Sequence, residues 1–264
     1  MERAFSSPSI RLVACAFVAL AGLGAPREAY ALPPRPRFEP TDLLFEDPGD
    51  LEIDLQFGPQ LRPDGNRLYL PDFELDFGLR DDLEIDLDGA FAEEGFDRPS
   101  GSRSFAADPL WTSVKVGLVD ISRTDTQRFA LGAQLGPRLP IGKGVAGVGY
   151  EALVLAGYTS SELHLVVQGG FVIDPGATQG AGRPTGFVGG VDVSQALGKR
   201  FTVAAEVGTS LYTSHDPHEL NVSLGSVFTS SEHSSFSVVV LGSLLERTRA
   251  LSLLVGFAPK VSFF

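Results

Sequence analysis

The stretch Leu251–Phe264 reads LSLLVGFAPKVSFF. Leu251, Leu253, Val255, Phe257, Pro259, Val261 and Phe263 recur at every second position and share one face of an extended chain. Ser252, Gly256, Lys260 and Ser262 occupy the other face, with Leu254 and Ala258 among them. The stretch is therefore a strand with one apolar and one mixed face that ends on an aromatic residue. Its apolar frame stops at Phe263, one position before the final Phe264. A bulge near Pro259 is expected to bring Phe264 into frame.

The same alternation runs back through the chain. Leu51, Ile53, Leu55 and Phe57 alternate with Glu52, Asp54 and Gln56. Phe73, Leu75, Phe77 and Leu79 alternate with Asp72, Glu74, Asp76 and Gly78. After the turn Arg80-Asp81-Asp82, Leu83, Ile85, Leu87 and Phe91 oppose Glu84, Asp86 and Asp88. Further runs cover 110–119, 128–138, 149–158, 163–173, 186–195, 201–212, 219–228, 235–243 and 251–263. This makes about 12 strands, most of them about 9–13 residues long, the length a tilted membrane strand requires.

Connections alternate in length. Links near 80–82, 159–162, 196–200 and 229–234 are short, and the one at 120–127 is somewhat longer. Links near 58–67, 92–109, 139–148 and 174–185 are mostly longer and rich in Gly and Pro, whereas 213–218 and 244–250 are not long. Outer-membrane barrels have short periplasmic turns and longer external loops, and an even strand number sorts the two classes to opposite ends. Tyr150, Tyr158, Phe57, Phe91, Trp111, Phe129, Phe201, Tyr212, Phe228 and Phe263 lie at strand ends, as interfacial aromatic girdles do. The expected fold is all-β: a transmembrane antiparallel β-barrel of about 12 strands over residues 50–264. A soluble β-sandwich is the alternative for alternating strands.

Composition agrees. Charged residues make up 20% and hydrophobic residues 43%, less charge than a soluble domain usually carries. Beyond the N-terminus no run of 18 apolar residues occurs, which excludes a spanning helix. The net charge of −12 argues against a nucleic-acid partner. The one cysteine, Cys15, lies near the start, so the rest can form neither a disulfide nor a cysteine metal site.

Arg3 and Arg11 precede the apolar run Leu12–Gly24, and Ala29-Tyr30-Ala31 offers a cleavage site. Residues 1–31 read as a secretory signal peptide. Removing them leaves the remainder one charge more negative. Leu12-Val13-Ala14-Cys15 matches a lipoprotein box only as text, because the apolar run follows the cysteine instead of preceding it. Residues 32–49 are Pro-rich and read as a periplasmic tail with no core of its own.

The stretch from about Phe45 to Asp88 resembles a family of outer-membrane transporters associated with phenol (meta-pathway) degradation gene clusters. Pro48-Gly49 before Leu51-Glu52-Ile53-Asp54-Leu55 carries the first part of the likeness. The hairpin Phe77-Gly78-Leu79-Arg80-Asp81-Asp82-Leu83-Glu84-Ile85-Asp86 carries the second. The aromatic C-terminal strand likewise resembles the signal read by the barrel-insertion machinery. These resemblances imply a Gram-negative outer-membrane barrel, set in outer-membrane lipid. They also imply transport of small solutes, aromatic or hydrophobic compounds among them, but no defined binding residue.

The sharpest candidate site is the acidic face of the first three strands: Glu52, Asp54, Asp72, Glu74, Asp76, Glu84, Asp86 and Asp88. Charge facing hydrocarbon is costly, so this face is expected to line the lumen. Lys115, Arg128 and Arg138 on the fourth and fifth strands are its candidate partners. Such a wall favours cations or excludes anions, or else is a solvated, internally paired interior. Later strands have a milder inner face that includes Leu153, Leu155, Val166, Gln168, Val188, Val239 and Leu254. The link 92–109, with Arg98 and Arg103, is the candidate lid.

Other motifs carry less. Glu84-x-Asp86-x-Asp88-Gly89 lacks the closing Glu of a calcium loop, with Gly95 in its place. Gly142-x-Gly144-x-x-Gly147 lacks the βαβ context of a dinucleotide site. His215-Asp216-Pro217-His218 offers two His and no evident third metal ligand. His218-Glu219-Leu220-Asn221-Val222-Ser223 lacks the compact His-Ser-Asn-Gly arrangement of outer-membrane phospholipases. The expectation is thus a passive channel with no catalytic residues, metal or cofactor. A structural or adhesion barrel is the alternative, and a lipid hydrolase a more distant one.

Overall fold

The computed structural model describes residues 43–63, 65–99, 102–124, 127–141, 145–177, 183–213, 218–243 and 249–263. The expected signal peptide and most of the expected tail lie outside these residues, as do Gly142, Gly144, His215, Asp216 and Phe264.

Strands in chain order are β1 (Asp50–Leu61), β2 (Arg67–Arg80), β3 (Leu83–Glu94), β4 (Ser104–Ala107) and β5 (Leu110–Thr124). They continue with β6 (Gln127–Leu139), β7 (Val145–Ala146), β8 (Gly149–Ser160), β9 (Leu163–Ile173) and β10 (Gly176–Ala177). The last five are β11 (Thr185–Ala196), β12 (Phe201–Tyr212), β13 (Glu219–Ser231), β14 (Ser234–Ser243) and β15 (Ala250–Ser262). The twelve long strands pair antiparallel with their sequence neighbours, and β15 closes the sheet by pairing with β1. In that seam Asp50 faces Ser262 and Leu61 faces Leu251, with one register throughout. Closure joins the first and last of the twelve long strands, so that ladder has no free edge among the described residues, as hydrocarbon demands.

The side chains are distributed oppositely to those of a water-soluble protein. Val255, Leu224 and Phe187 are 54%, 59% and 59% exposed on the outer surface, whereas Glu84, Asp86 and Asp88 are buried inside. An apolar face this continuous is matched to lipid, and the sandwich alternative falls with it. Phe57, Phe129, Tyr150, Phe201, Phe228 and Phe263 stay on the outside. Trp111 and Tyr212 do not: both are buried in the interior, a correction to their assignment to the girdles. Trp111 shares the parity of Ser113 and Lys115, and Tyr212 that of Glu206 and Gly208, so strand phase outweighs position along the strand.

Three further expectations change. Pairing of β15 with β14 and β1 is unshifted past Pro259, so no bulge forms there and Phe263 stays in the outward frame. Strand β5 runs on to Thr124 and β6 starts at Gln127, so strand takes up most of the link expected over 120–127, and register shifts at Gly117/Val119 and Ser122/Thr124 absorb the extra residues. The link 92–109 is largely wall. β3 continues to Glu94, and β4 pairs with it from Phe91↔Ala107 to Glu94↔Ser104. Arg103 reaches Glu93 at 3.3 Å, and Arg67 grips Asp108 at 2.6 Å and Glu94 at 3.1 Å. Pro109 has no ladder donor and separates β4 from β5.

Replacing Val255 by Arg should lower the stability of the barrel in bilayers by about 2–4 kcal/mol, read from denaturant-dependent folding into vesicles. At an exposed site on a soluble protein the same change would cost no more than about 0.5 kcal/mol.

Candidate functional site

Barrel register turns the acidic alternation into rows. Glu52 faces Asp76, which faces Asp86, which faces Ser113. One row nearer the long-loop end, Asp54, Glu74, Asp88 and Trp111 align, and Trp111 in turn faces Arg138. Like charges opposite one another across strands repel, so these rows need donors. Lys115 supplies the strongest, with its Nζ 2.5 Å from Glu84 Oε1. Ser113 and Gln134 donate to the same oxygen of Asp86 at 2.9 and 2.7 Å, and Gln56 donates to Asp54 at 3.3 Å. Asp76, Glu84 and Asp86 bring carboxylate oxygens within 4.8 Å of one another. Because Glu84 and Asp86 are held by Lys115, Ser113 and Gln134, the trio belongs to this paired wall.

Of the three candidate bases, Lys115 meets the wall in an ion pair, with Glu84. Arg128 pairs with Asp120 at 2.8 Å near the short-turn end, where both are well exposed. Arg138 lies at the other end, bonded to Glu151 and, at 2.5 Å, to Asp174. Its guanidinium also lies 5.9 Å from the Trp111 ring, and Tyr212 donates to Asp174 at 2.7 Å. Glu151 and Asp174 are functional candidates not singled out in the sequence, and Tyr212 stood out there only as a girdle aromatic. The available signal was parity: Arg138 lies on the inward frame of β6 with Gln134, so its partners had to be inward residues of neighbouring strands.

The expected tail also departs from expectation. From Leu43 onward it enters the barrel. Leu43 is buried among Ala130, Leu155 and Val166, with Phe45 packed alongside. Glycines at 132 and 157 make this possible, since a Cβ at either would come within 3 Å of Leu43. Phe45 lies 5.5 Å under the Lys115 ammonium, and the Glu46 backbone N–H donates to Glu84 at 2.6 Å. Glu46 itself meets Lys260 of β15 at 2.5 Å. This segment occupies the short-turn end. A second apolar cluster joins Tyr69, Ala90 and Ala92 to Ala204, Val239 and Leu254, so inward residues of both sides of the barrel meet.

Space remains along β8–β13, whose inner faces carry small residues. One cavity of about 160 Å³ lies toward the long-loop end, bounded by Trp111, Arg138, Gln168, Glu206, Tyr212 and Glu219. Another of about 220 Å³ lies toward the short-turn end beside Leu43, with Arg128, His164 and Asp192 in its walls.

The architecture is that of a twelve-stranded outer-membrane-type barrel, and solved structures share it. An outer membrane channel from Pseudomonas putida F1 superposes with a TM-score of 0.59 at 10% identity, covering 85% of this chain and 100% of its own. The NanC porin gives 0.54 at 10% identity, covering 79% and 100%. The KdgM porin gives 0.53 at 12% identity, covering 81% and 99%. No family model matches the sequence, and neither does any curated protein. At these identities the likeness is one of fold.

Lys115→Met should destabilise the barrel by about 3–5 kcal/mol, because it leaves Glu84 buried without its cation. Adding Glu84→Gln to that variant should restore much of the loss, and a double-mutant cycle in denaturant reads the coupling.

Proposed function

We propose that the protein is an outer-membrane channel of a Gram-negative bacterium for passive movement of small solutes. In this reading both described termini and the short turns face the periplasm, and the long loops face outward. The observation that carries it is a closed, lipid-matched barrel with cavities toward both ends and an interior dominated by carboxylates. Such an interior lowers the energy of a cation and raises that of an anion. A KdgM porin has been described in complex with oligogalacturonate, a polyanion. The wall of Glu52, Asp54, Glu74, Asp76, Glu84, Asp86 and Asp88 opposes a ligand of that charge. Cations and uncharged solutes fit better, and the resemblance to transporters of phenol-degradation clusters supports small aromatic compounds among the latter. The C-terminal strand would meet the insertion machinery through its outward aromatic frame.

The segment around Leu43 and Phe45 is the periplasmic constriction in this reading. Its hold on the wall is apolar packing plus the Glu46 contacts, so a charge at position 43 should expel it.

Two bilayer measurements test the proposal. Under a KCl gradient the reversal potential should show cation preference, and Asp54→Asn with Glu74→Gln should move it toward zero. A folded barrel that stays electrically silent would overturn the open-channel reading and leave a structural barrel. Leu43→Glu should raise single-channel conductance severalfold, and unchanged conductance would remove the constriction.

A further inference from the structure

Glu219 is an inward carboxylate that borders the outer cavity. It is the first residue of β13, at the long-loop end, and only 7% of it is exposed. Its Oε1 is fully buried with no hydrogen-bond donor among the described residues. It borders the outer cavity of about 160 Å³. Gln168 Oε1, in the wall of the same cavity, is also buried with no donor. Arg138 is the single basic side chain lining this space among the described residues, and it is engaged by Glu151 and Asp174. Glu206 adds a further carboxylate to the lining, and Asn221 another amide.

The cavity therefore has negative charge and spare acceptors, and its one guanidinium is already engaged. A buried carboxylate without a donor is unstable, so a bound cation with hydrogens to give would relieve it. A primary ammonium carries one positive charge and three N–H donors. A quaternary ammonium has the charge without donors, and an alcohol has a donor without the charge. A water needs roughly 10–15 Å³ of such space, so the cavity admits a solute of several heavy atoms. We infer that the outer cavity is a binding site for a small primary alkylammonium, held by Glu219 and Gln168 with Glu206 adding charge. The inference goes beyond the channel reading and does not depend on conduction, because the site lies toward one end of the lumen and can fill from there.

Trp111 lines the same cavity and is the only tryptophan in the sequence, so its fluorescence reports on this site alone. Ethylammonium would be titrated into the full, refolded protein in detergent, with potassium chloride holding ionic strength constant. About pH 9.5 keeps even a buried carboxylate largely ionised and an alkylammonium largely protonated. The expected result is a saturable change in Trp111 emission and a rise in the thermal unfolding midpoint. Tetramethylammonium and ethanol should bind at least about tenfold more weakly, as should ethylammonium to Glu219→Gln. Should Glu219→Gln fail to fold, Gln168→Leu serves instead, with an expected severalfold loss. Neither a saturable emission change nor a midpoint shift with ethylammonium would show that the cavity holds only water, and would overturn the inference. Equal binding of all three solutes, or unaltered binding to the folded variant, would overturn it as well. Binding by a barrel that does not conduct would leave this site standing and remove the channel; conduction without binding would do the reverse.

Discussion

The seam between β1 and β15 is the contact on which the rest of the structure depends. Until it forms, the sheet has two edges, and in hydrocarbon each unpaired N–H or C=O costs several kcal/mol. Once it forms, inside and outside become fixed for every strand, because alternation with period two leaves each residue one choice. The unbroken register from Asp50↔Ser262 to Leu61↔Leu251 shows why the C-terminal strand needs no bulge. Its apolar frame meets lipid as written, and its other frame delivers Ser252, Leu254 and Lys260 to the interior.

Closure also creates the central electrostatic problem. Eight carboxylates from three adjacent strands are placed side by side, and they cannot all turn away from one another. The structure answers with neutral donors and one ammonium: Gln56, Ser113, Gln134 and Lys115 each take a share. The N-terminal segment contributes the Glu46 N–H and sets Phe45 against Lys115. One half of the lumen is thereby packed with paired polar groups, while the half built from β8–β13 keeps its space. That asymmetry lets one barrel have a rigid charged wall and open cavities together.

Glycine placement serves both packing and space. At Gly132 and Gly157 the missing Cβ makes room for Leu43, so two absent methyl groups decide where the N-terminal segment docks. At Gly208, on the other side, a Cβ would touch only the end of Glu206, and the absence of a side chain leaves cavity. The same residue type thus serves close packing on one wall and open volume on the other.

The sequence by itself determined the strand pattern, the strand number and the inward direction of the acidic face, because period-two alternation and hydrocarbon's intolerance of charge are local rules. It also carries the parity of Trp111 with Lys115, and of Tyr212 with Glu206, which marks both aromatics as internal. Only the tertiary structure decided which inward residues meet. Arg138 finds Glu151 and Asp174, Arg128 finds Asp120, and Lys115 joins the acidic wall through Glu84. Those partnerships depend on the stagger of the strands, and the register shifts at Gln56/Gly58, Tyr69/Asp72 and Gly117/Val119 change which residues share a level. The docking of Leu43 and the unpaired oxygen of Glu219 have the same origin. Both depend on distances across the lumen, which exist only after closure has set the barrel's width.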